Sequence, residues 1–103
     1  MNVHTSAEAE DDLFNGFEFY EQQSPGLGNY FAENLRSDIR SLCLHAGIHR
    51  KILGYHRLLS KRFPYEIFYR IDDDEVTVVR VFDCRRDPRW IERQLRMRPG
   101  REE

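Results

Sequence analysis

The spacing of apolar residues changes near the middle of this 103-residue chain. In the first half they recur every three or four residues, as on one face of a helix, and in the second half they alternate or run together, as in strands. Helices that carry one apolar stripe must bury it against another layer of secondary structure. The change therefore predicts an α+β fold in which a helical hairpin packs on a mostly antiparallel sheet.

Two helices are predicted in the first half. The first begins near Ser6, follows a short edge strand at 2–4, and ends near residue 23. The second begins with Pro25 as its first residue and is stopped by Gly47. Their apolar faces are marked by Leu13, Phe17 and Tyr20, and by Phe31, Leu35, Ile39, Leu42 and Ala46.

Three strands and a short helix are predicted in the second half. The strands at 55–62, 65–71 and 76–82 are separated by turn signals, which favours an antiparallel meander. Asp87 and Pro88 cap and open a C-terminal helix, and 98–103 are expected to be a frayed tail. The predicted order is β-α-α-β-β-β-α, in one domain over residues 1–103.

Composition excludes several classes of protein. With 40% hydrophobic and 33% charged residues, the chain is typical of a small globular domain. No apolar run reaches the roughly 20 residues of a membrane-spanning helix, so we expect a soluble, cytoplasmic protein without a membrane partner. Cys43 and Cys84 lack a CxxC pattern or nearby ligating histidines, so neither a metal nor another cofactor is expected.

Charge is distributed unevenly along the chain. Residues 1–48 carry two arginines against eight acids, a net charge of −6, whereas residues 49–103 carry fourteen cations against ten acids, a net charge of +4. This asymmetry predicts a basic face for a nucleic acid or an acidic protein segment, although a solvated charged surface fits the composition equally well. By strand alternation, the sheet face away from the helices is predicted to be open and to carry Arg57, Lys61, Arg70 and Arg80.

The most promising candidates lie at the end of the last strand. Arg85 and Arg86 follow the strand directly, where sheet-derived sites often lie. Trp90 is a stacking platform for a nucleic-acid base, an anchor in a protein interface, or a residue that closes the edge of the core. For Arg80, an internal ion pair with Glu66 or an aspartate competes with a role in binding.

Several short stretches, in this order, resemble the RelE/ParE superfamily of type II toxin-antitoxin toxins, also called plasmid stabilisation proteins. They are AEDDL (9–13), SPGLG (24–28), GYHR (54–57), RFPY (62–65) and DCRRDP (83–88). The resemblance covers nearly the whole chain. It implies a toxin that inhibits growth, is bound by an antitoxin from an adjacent gene in a hetero-oligomer, and acts on either DNA gyrase or the ribosome.

The resemblance is closer to the ParE-like branch, whose members poison DNA gyrase without a known reaction of their own. The RelE-like alternative is a ribosome-dependent mRNA endonuclease. Its members commonly have a basic residue directly after the aromatic residue that begins the third strand, where this chain has Glu66 after Tyr65. They often have a histidine near the end of the last strand, where this chain has Asp83 and Cys84. A degenerate member that only binds its antitoxin is a third interpretation.

The resemblance and the residue types together give two sets of candidate residues. A nuclease needs cations for the developing phosphorane charge and a base or acid near neutral pH. Its candidates are Arg57, Lys61, Arg80, Arg86 and His56. The candidates for partner binding are Arg57, Lys61, Arg80, Arg85, Arg86 and Trp90.

Overall fold

The computed structural model describes residues 1–97 and 99. The predicted tail at 98–103 therefore lies outside the described residues, apart from Pro99. The elements are β1 (Asn2–Thr5), α1 (Ala7–Gln23), α2 (Leu27–Arg40), α3 (Leu42–His45), β2 (Lys51–Ile52), β3 (Tyr55–Leu59), β4 (Tyr65–Asp72), β5 (Glu75–Asp83) and α4 (Pro88–Arg96). The α+β class is confirmed, and the predicted order differs only in lacking α3 and β2.

The sheet has five strands in the order β1-β5-β4-β3-β2. All neighbouring strands are antiparallel except β1, which lies parallel to β5 at the edge. Because Tyr65 pairs with Asp83, the start of β4 lies beside the end of β5. Arg85 and Arg86 follow β5 at this end of the sheet.

The first helix is fixed to the sheet at its start. Ser6 caps α1 by accepting a hydrogen bond from the Ala9 amide at 3.0 Å, and the same hydroxyl donates to the Val79 carbonyl at 3.0 Å. The predicted start near Ser6 and end near residue 23 are confirmed.

The second helix starts later and ends earlier than predicted. Gly26 has a φ of 89°, which continues a turn and delays the helix to Leu27, so Pro25 is not its first residue. The Glu21 carboxylate fixes this turn by accepting from the amides of Gly26 and Gly28. A break at Ser41 separates α2 from α3.

The strand predicted at 55–62 is shorter in the structure. β3 ends at Leu59, and the Ser60 amide donates to the Tyr65 carbonyl at 2.9 Å to close the hairpin. Lys61 consequently lies in the turn and not on the sheet face, where it was predicted.

Both faces of the sheet are covered, which corrects the prediction of an open face. The helical hairpin buries one face, with Phe31, Leu35 and Tyr69 among the fully buried side chains. On the other face α4 packs over a second apolar cluster of Phe68, Val79, Phe82 and Leu95. No helix among the described residues is long and apolar enough to cross a membrane.

An irregularity in β5 explains part of this difference. The pairing shifts by one residue between Phe68 and Tyr69, which face Arg80 and Val78, so that Val79 is an extra residue. Val78 packs against the helical hairpin and Val79 joins the cluster under α4, as alternation along a strand predicts. Because of the extra residue, Val81 lies with Val78 on the hairpin side, whereas simple alternation would place it on the same face as Val79.

Candidate partner-binding site

Arg86 and Trp90 form the centre of the candidate site. After β5 the chain turns, with the Arg86 amide donating to the Asp83 carbonyl at 3.1 Å. Asp87 then caps α4 by accepting from the Arg89 amide at 2.9 Å. This geometry places the guanidinium carbon of Arg86 3.6 Å from the centre of the Trp90 ring, a cation–π contact.

The contact continues towards the core through a second aromatic ring and a second arginine. Trp90 meets Phe82 edge to face at 5.0 Å between ring centres, and the guanidinium carbon of Arg80 lies 4.5 Å from the centre of the Phe82 ring. Phe82 is buried, so it fixes the position of Trp90 from below. Arg86 is exposed and forms no ion pair with a described residue.

Cavities open on both sides of Arg86. One, of about 330 Å³, lies between α1 and the end of β5 and is lined by Gly16, Phe19, Tyr65, Asp83, Arg86 and Trp90, among others. The other, of about 500 Å³, lies between β3 and α4 and is lined by Arg57, Glu66, Phe68, Cys84, Arg86 and Leu95, among others. Phe19 leaves almost half of its surface exposed beside the first cavity.

Arg85 is bound to the carboxylate of Asp83. Its guanidinium donates to Oδ1 at 2.9 Å and to Oδ2 at 2.6 Å, and its amide also donates to Oδ1. These hydrogen bonds hold the pKa of Asp83 below its ordinary value. Next to them, burial raises the pKa of Tyr65 to about 12, with a further contribution from the Asp83 charge.

Arg57 is neutralised by Glu66. Its Nε donates to Glu66 Oε1 at 2.6 Å, and this carboxylate is buried in the sheet. The acidic residue that departs from the nuclease pattern therefore has a structural partner. Arg57 and Arg86 line one cavity, but only Arg57 is paired there.

Arg80 forms an ion pair with Asp12 on α1. Its Nε and Nη2 donate to the two carboxylate oxygens at 2.8 and 2.9 Å, and Nη1 donates to Gln94 at 3.1 Å. The Val81 amide completes the site by donating to Asp12 at 2.9 Å. The predicted alternative, an internal ion pair of Arg80 with an aspartate, is what the structure contains.

The remaining candidates lie apart from Arg86. His56 Nδ1 bonds to the His49 carbonyl at 2.7 Å, and its ring stacks on Tyr69 at 4.9 Å. His56 lines a third cavity, with Lys51 and Arg96. Burial raises the pKa of the Cys84 thiol, with a further contribution from the Glu66 charge.

Two contributors to the site were missed in the sequence. Phe82 was predicted only as a strand residue, and Asp12 was named only as part of the AEDDL stretch at 9–13. The position of Asp12 was the available signal, because it lies three residues after Ala9 and four before Gly16, both buried. A carboxylate on the buried face of a helix predicts a charged partner. No group of three potential metal ligands occurs among the described residues.

The model of the ParE toxin of type II toxin-antitoxin systems (parDE) matches residues 3–88. The chain belongs to this family. The matched region includes β1 from its second residue, all elements from α1 to β5, the Arg85–Arg86 pair and the first residue of α4. No curated protein matches the sequence.

Two solved structures share the fold of this ParE family member. One is a chain of the chromosomal ParDE system from P. aeruginosa, with a TM-score of 0.74, 19% identity, and coverage of 81% of this chain and 95% of that one. The other is the isolated E. coli RelE toxin, with a TM-score of 0.59, 16% identity, and coverage of 93% and 97%. At these identities the likeness shows the fold alone.

Proposed function

We propose that this chain is a toxin that inhibits DNA gyrase by binding to it, and that an antitoxin from an adjacent gene neutralises it. Family membership supports the toxin role. The binding mode is supported by one observation above all: Arg86 is exposed on the face of Trp90, between two cavities. Arginine and tryptophan are the side chains that most often dominate protein interfaces.

The other cations favour binding over RNA cleavage. Transphosphorylation of RNA needs free cations near the phosphorane and a base within reach of the 2′-hydroxyl. Arg57 and Arg80 each bond to a carboxylate. A nuclease built on these two arginines would first have to exchange both carboxylates for a phosphate.

A supercoiling assay with purified gyrase tests the proposed target. We expect the chain to inhibit supercoiling, and Arg86→Gln to raise the half-inhibitory concentration about tenfold or more, as for an interface hot spot. Arg36→Gln is the matched control, since it removes an equal charge from an exposed residue of α2. It should change inhibition by less than about twofold.

Four results would overturn the proposal. The first is full gyrase activity in the presence of the folded chain, and the second is a control variant that loses as much inhibition as Arg86→Gln. The third is cleavage of mRNA at translating ribosomes by the purified chain, which would assign it to the ribonuclease alternative. Absence of any growth defect on expression without the antitoxin would indicate a member that has lost its toxicity.

Antitoxin binding is tested by co-expression with the protein of the adjacent gene. Because exposed cations are concentrated in the second half of the chain, we expect the antitoxin to carry an acidic or amphipathic tail. The two proteins should co-purify at moderate salt and restore gyrase activity together. Failure to co-purify at both low and moderate salt would contradict the pairing.

A further inference from the structure

The outer surface of α4 carries a regular row of arginines. Arg89, Arg93 and Arg96 follow one another at i, i+4 and i+7, and all three are exposed. Residues at this spacing lie along one line of a helix. The row therefore spans about 10 Å of the helix axis, at 1.5 Å per residue.

Other cations continue the row at both of its ends. Arg86 precedes it on the face of Trp90. At the far end Arg96 lines a cavity of about 630 Å³ together with Lys51 of β2. We call these five residues, Arg86, Arg89, Arg93, Arg96 and Lys51, the α4 basic band.

The ion pairs within the band are local and exposed. Arg89 lies 3.4 Å from Asp87 and Arg96 lies 3.2 Å from Glu92, and Arg93 forms no ion pair with a described residue. Exposed pairs of this kind contribute little to stability, so the arginines can exchange them for another anion. This differs from Arg80, whose carboxylate partner is mostly buried.

Apart from Trp90, whose ring contacts Arg86, the apolar side chains of α4 are turned away from the band. Trp90, Ile91 and Leu95 pack against the cluster on the sheet, and Met97 is the large apolar residue left exposed just after the helix. A protein interface normally has an apolar, well-packed centre inside a polar rim. The outer face of α4 has guanidinium groups where such a centre would be.

We infer that the α4 basic band binds the phosphate backbone of duplex DNA without reading its base sequence. Four of the five cations are arginines, and their planar fork matches phosphate oxygens. Many of the acidic residues lie away from the band, because α1 carries six acids and no cation and packs on the opposite face of the sheet. The inference goes beyond the proposed binding to gyrase, and a duplex alone tests it.

Fluorescence anisotropy of a labelled 30-base-pair duplex of arbitrary sequence measures this binding. We expect binding that weakens steeply with salt and does not depend on the sequence of the duplex. The variant Arg89→Gln/Arg93→Gln/Arg96→Gln should weaken binding and reduce the slope of log K against log salt by up to about 2.7, at about 0.9 per phosphate contact. All three residues are exposed, so circular dichroism should show an unchanged fold.

The variant Arg36→Gln/Arg40→Gln/Arg62→Gln is the matched control. It removes three charges from exposed arginines outside α4 and should retain most of the affinity and of the salt slope. Equal losses in the two triple variants would overturn the inference, since net charge and not the band would then determine binding. Absence of duplex binding at low salt, or binding of poly-glutamate through α4 in preference to the duplex, would also overturn it. Gyrase is absent from this assay, so its result is independent of the proposed target.

Discussion

The guanidinium of Arg80 holds the carboxylate of Asp12 through two hydrogen bonds, across 68 positions of sequence. Both side chains are largely removed from solvent, at 14% and 11% exposure. The pair joins α1 to β5 at the point where the Val81 amide also needs an acceptor. Asp12 thereby satisfies a cation and a backbone amide beside the candidate site.

Removing the Asp12 carboxylate should destabilise the fold. Asp12→Ala leaves the Arg80 charge and the Val81 amide without their acceptor, and we expect the free energy of unfolding to fall by about 3 kcal/mol. Urea denaturation at pH 7 measures the change. Glu10→Ala breaks the exposed pair with Arg36 and should cost less than about 1 kcal/mol. Similar losses in the two variants would contradict the role assigned to the buried pair.

Arg86 and Trp90 should act as one unit in gyrase inhibition. Trp90→Leu keeps an apolar contact with Phe82 but removes the ring face on which Arg86 lies. We expect each single variant to weaken inhibition and the double variant Arg86→Gln/Trp90→Leu to be little worse than either. This corresponds to a coupling free energy of about 1.4 kcal/mol, the equivalent of the tenfold loss expected for Arg86→Gln.

The double-mutant cycle has an internal control. Arg85→Gln removes a neighbouring cation that is paired with Asp83 and has no ring contact with Trp90 in the structure. Its effect should add to that of Trp90→Leu within about 0.5 kcal/mol. Additivity in the Arg86 cycle as well would mean that Trp90 does not position Arg86.

Local features of the fold could be predicted from the sequence because adjacent residues determine them. The cap at Ser6 and the start of α4 at Asp87 and Pro88 depend on side chains within a few positions of the helix. The strand at Tyr65–Asp72 was placed correctly to within one residue for the same reason. The family resemblance, which depends on the order of such stretches, is confirmed by the match over residues 3–88.

The candidate site was harder to predict because it depends on pairs that are distant in sequence. Which carboxylate neutralises Arg57 or Arg80 follows from strand register and from the packing of α1, and the extra residue at Val79 shifts that register. The covering of the second face by α4 was likewise invisible in strand alternation. Only the position of Asp12 on a buried helix face offered a clue in advance.

Acid should weaken the fold through His49. The Tyr69 hydroxyl accepts a hydrogen bond from the Gly47 amide at 3.0 Å and lies 2.6 Å from His49 Nδ1. A neutral His49 can therefore accept a hydrogen bond from this hydroxyl at Nδ1. Burial lowers the pKa of His49, with smaller contributions from His56 and His45. The folded state therefore binds its proton less readily than the unfolded state, and stability should decrease as the pH falls below about 6.5.

Urea denaturation between pH 7.5 and 5.5 measures this dependence. His49→Gln should show a smaller loss of stability across this range than the natural chain. His45→Gln is the control, because His45 is exposed and should leave most of the pH dependence in place. An unchanged slope in His49→Gln would show that other groups carry the effect.

A methyl group at Gly16 should disturb the packing between α1 and α2. A Cβ atom there would lie 2.5 and 2.6 Å from two carbons of the Phe31 ring. Phe31 is fully buried, and its ring contacts Tyr20, Phe63 and Tyr65 at 4.8–5.2 Å between centres, so it has little room to move. Overpacking typically costs 1–3 kcal/mol, and alanine returns about 1 kcal/mol of helix propensity. We expect Gly16→Ala to lose about 1 kcal/mol of stability in thermal or urea unfolding.

A second substitution separates overpacking from other causes. Phe31→Leu removes the ring carbons that the new methyl group would meet. The double variant Gly16→Ala/Phe31→Leu should therefore be less destabilised than the sum of the two single variants. Asn29→Ala, on the exposed surface of α2, should be neutral or slightly stabilising and reports helix propensity alone. If Gly16→Ala were as stable as Asn29→Ala, the close approach of α1 and α2 at Gly16 would not limit the side chain at this position.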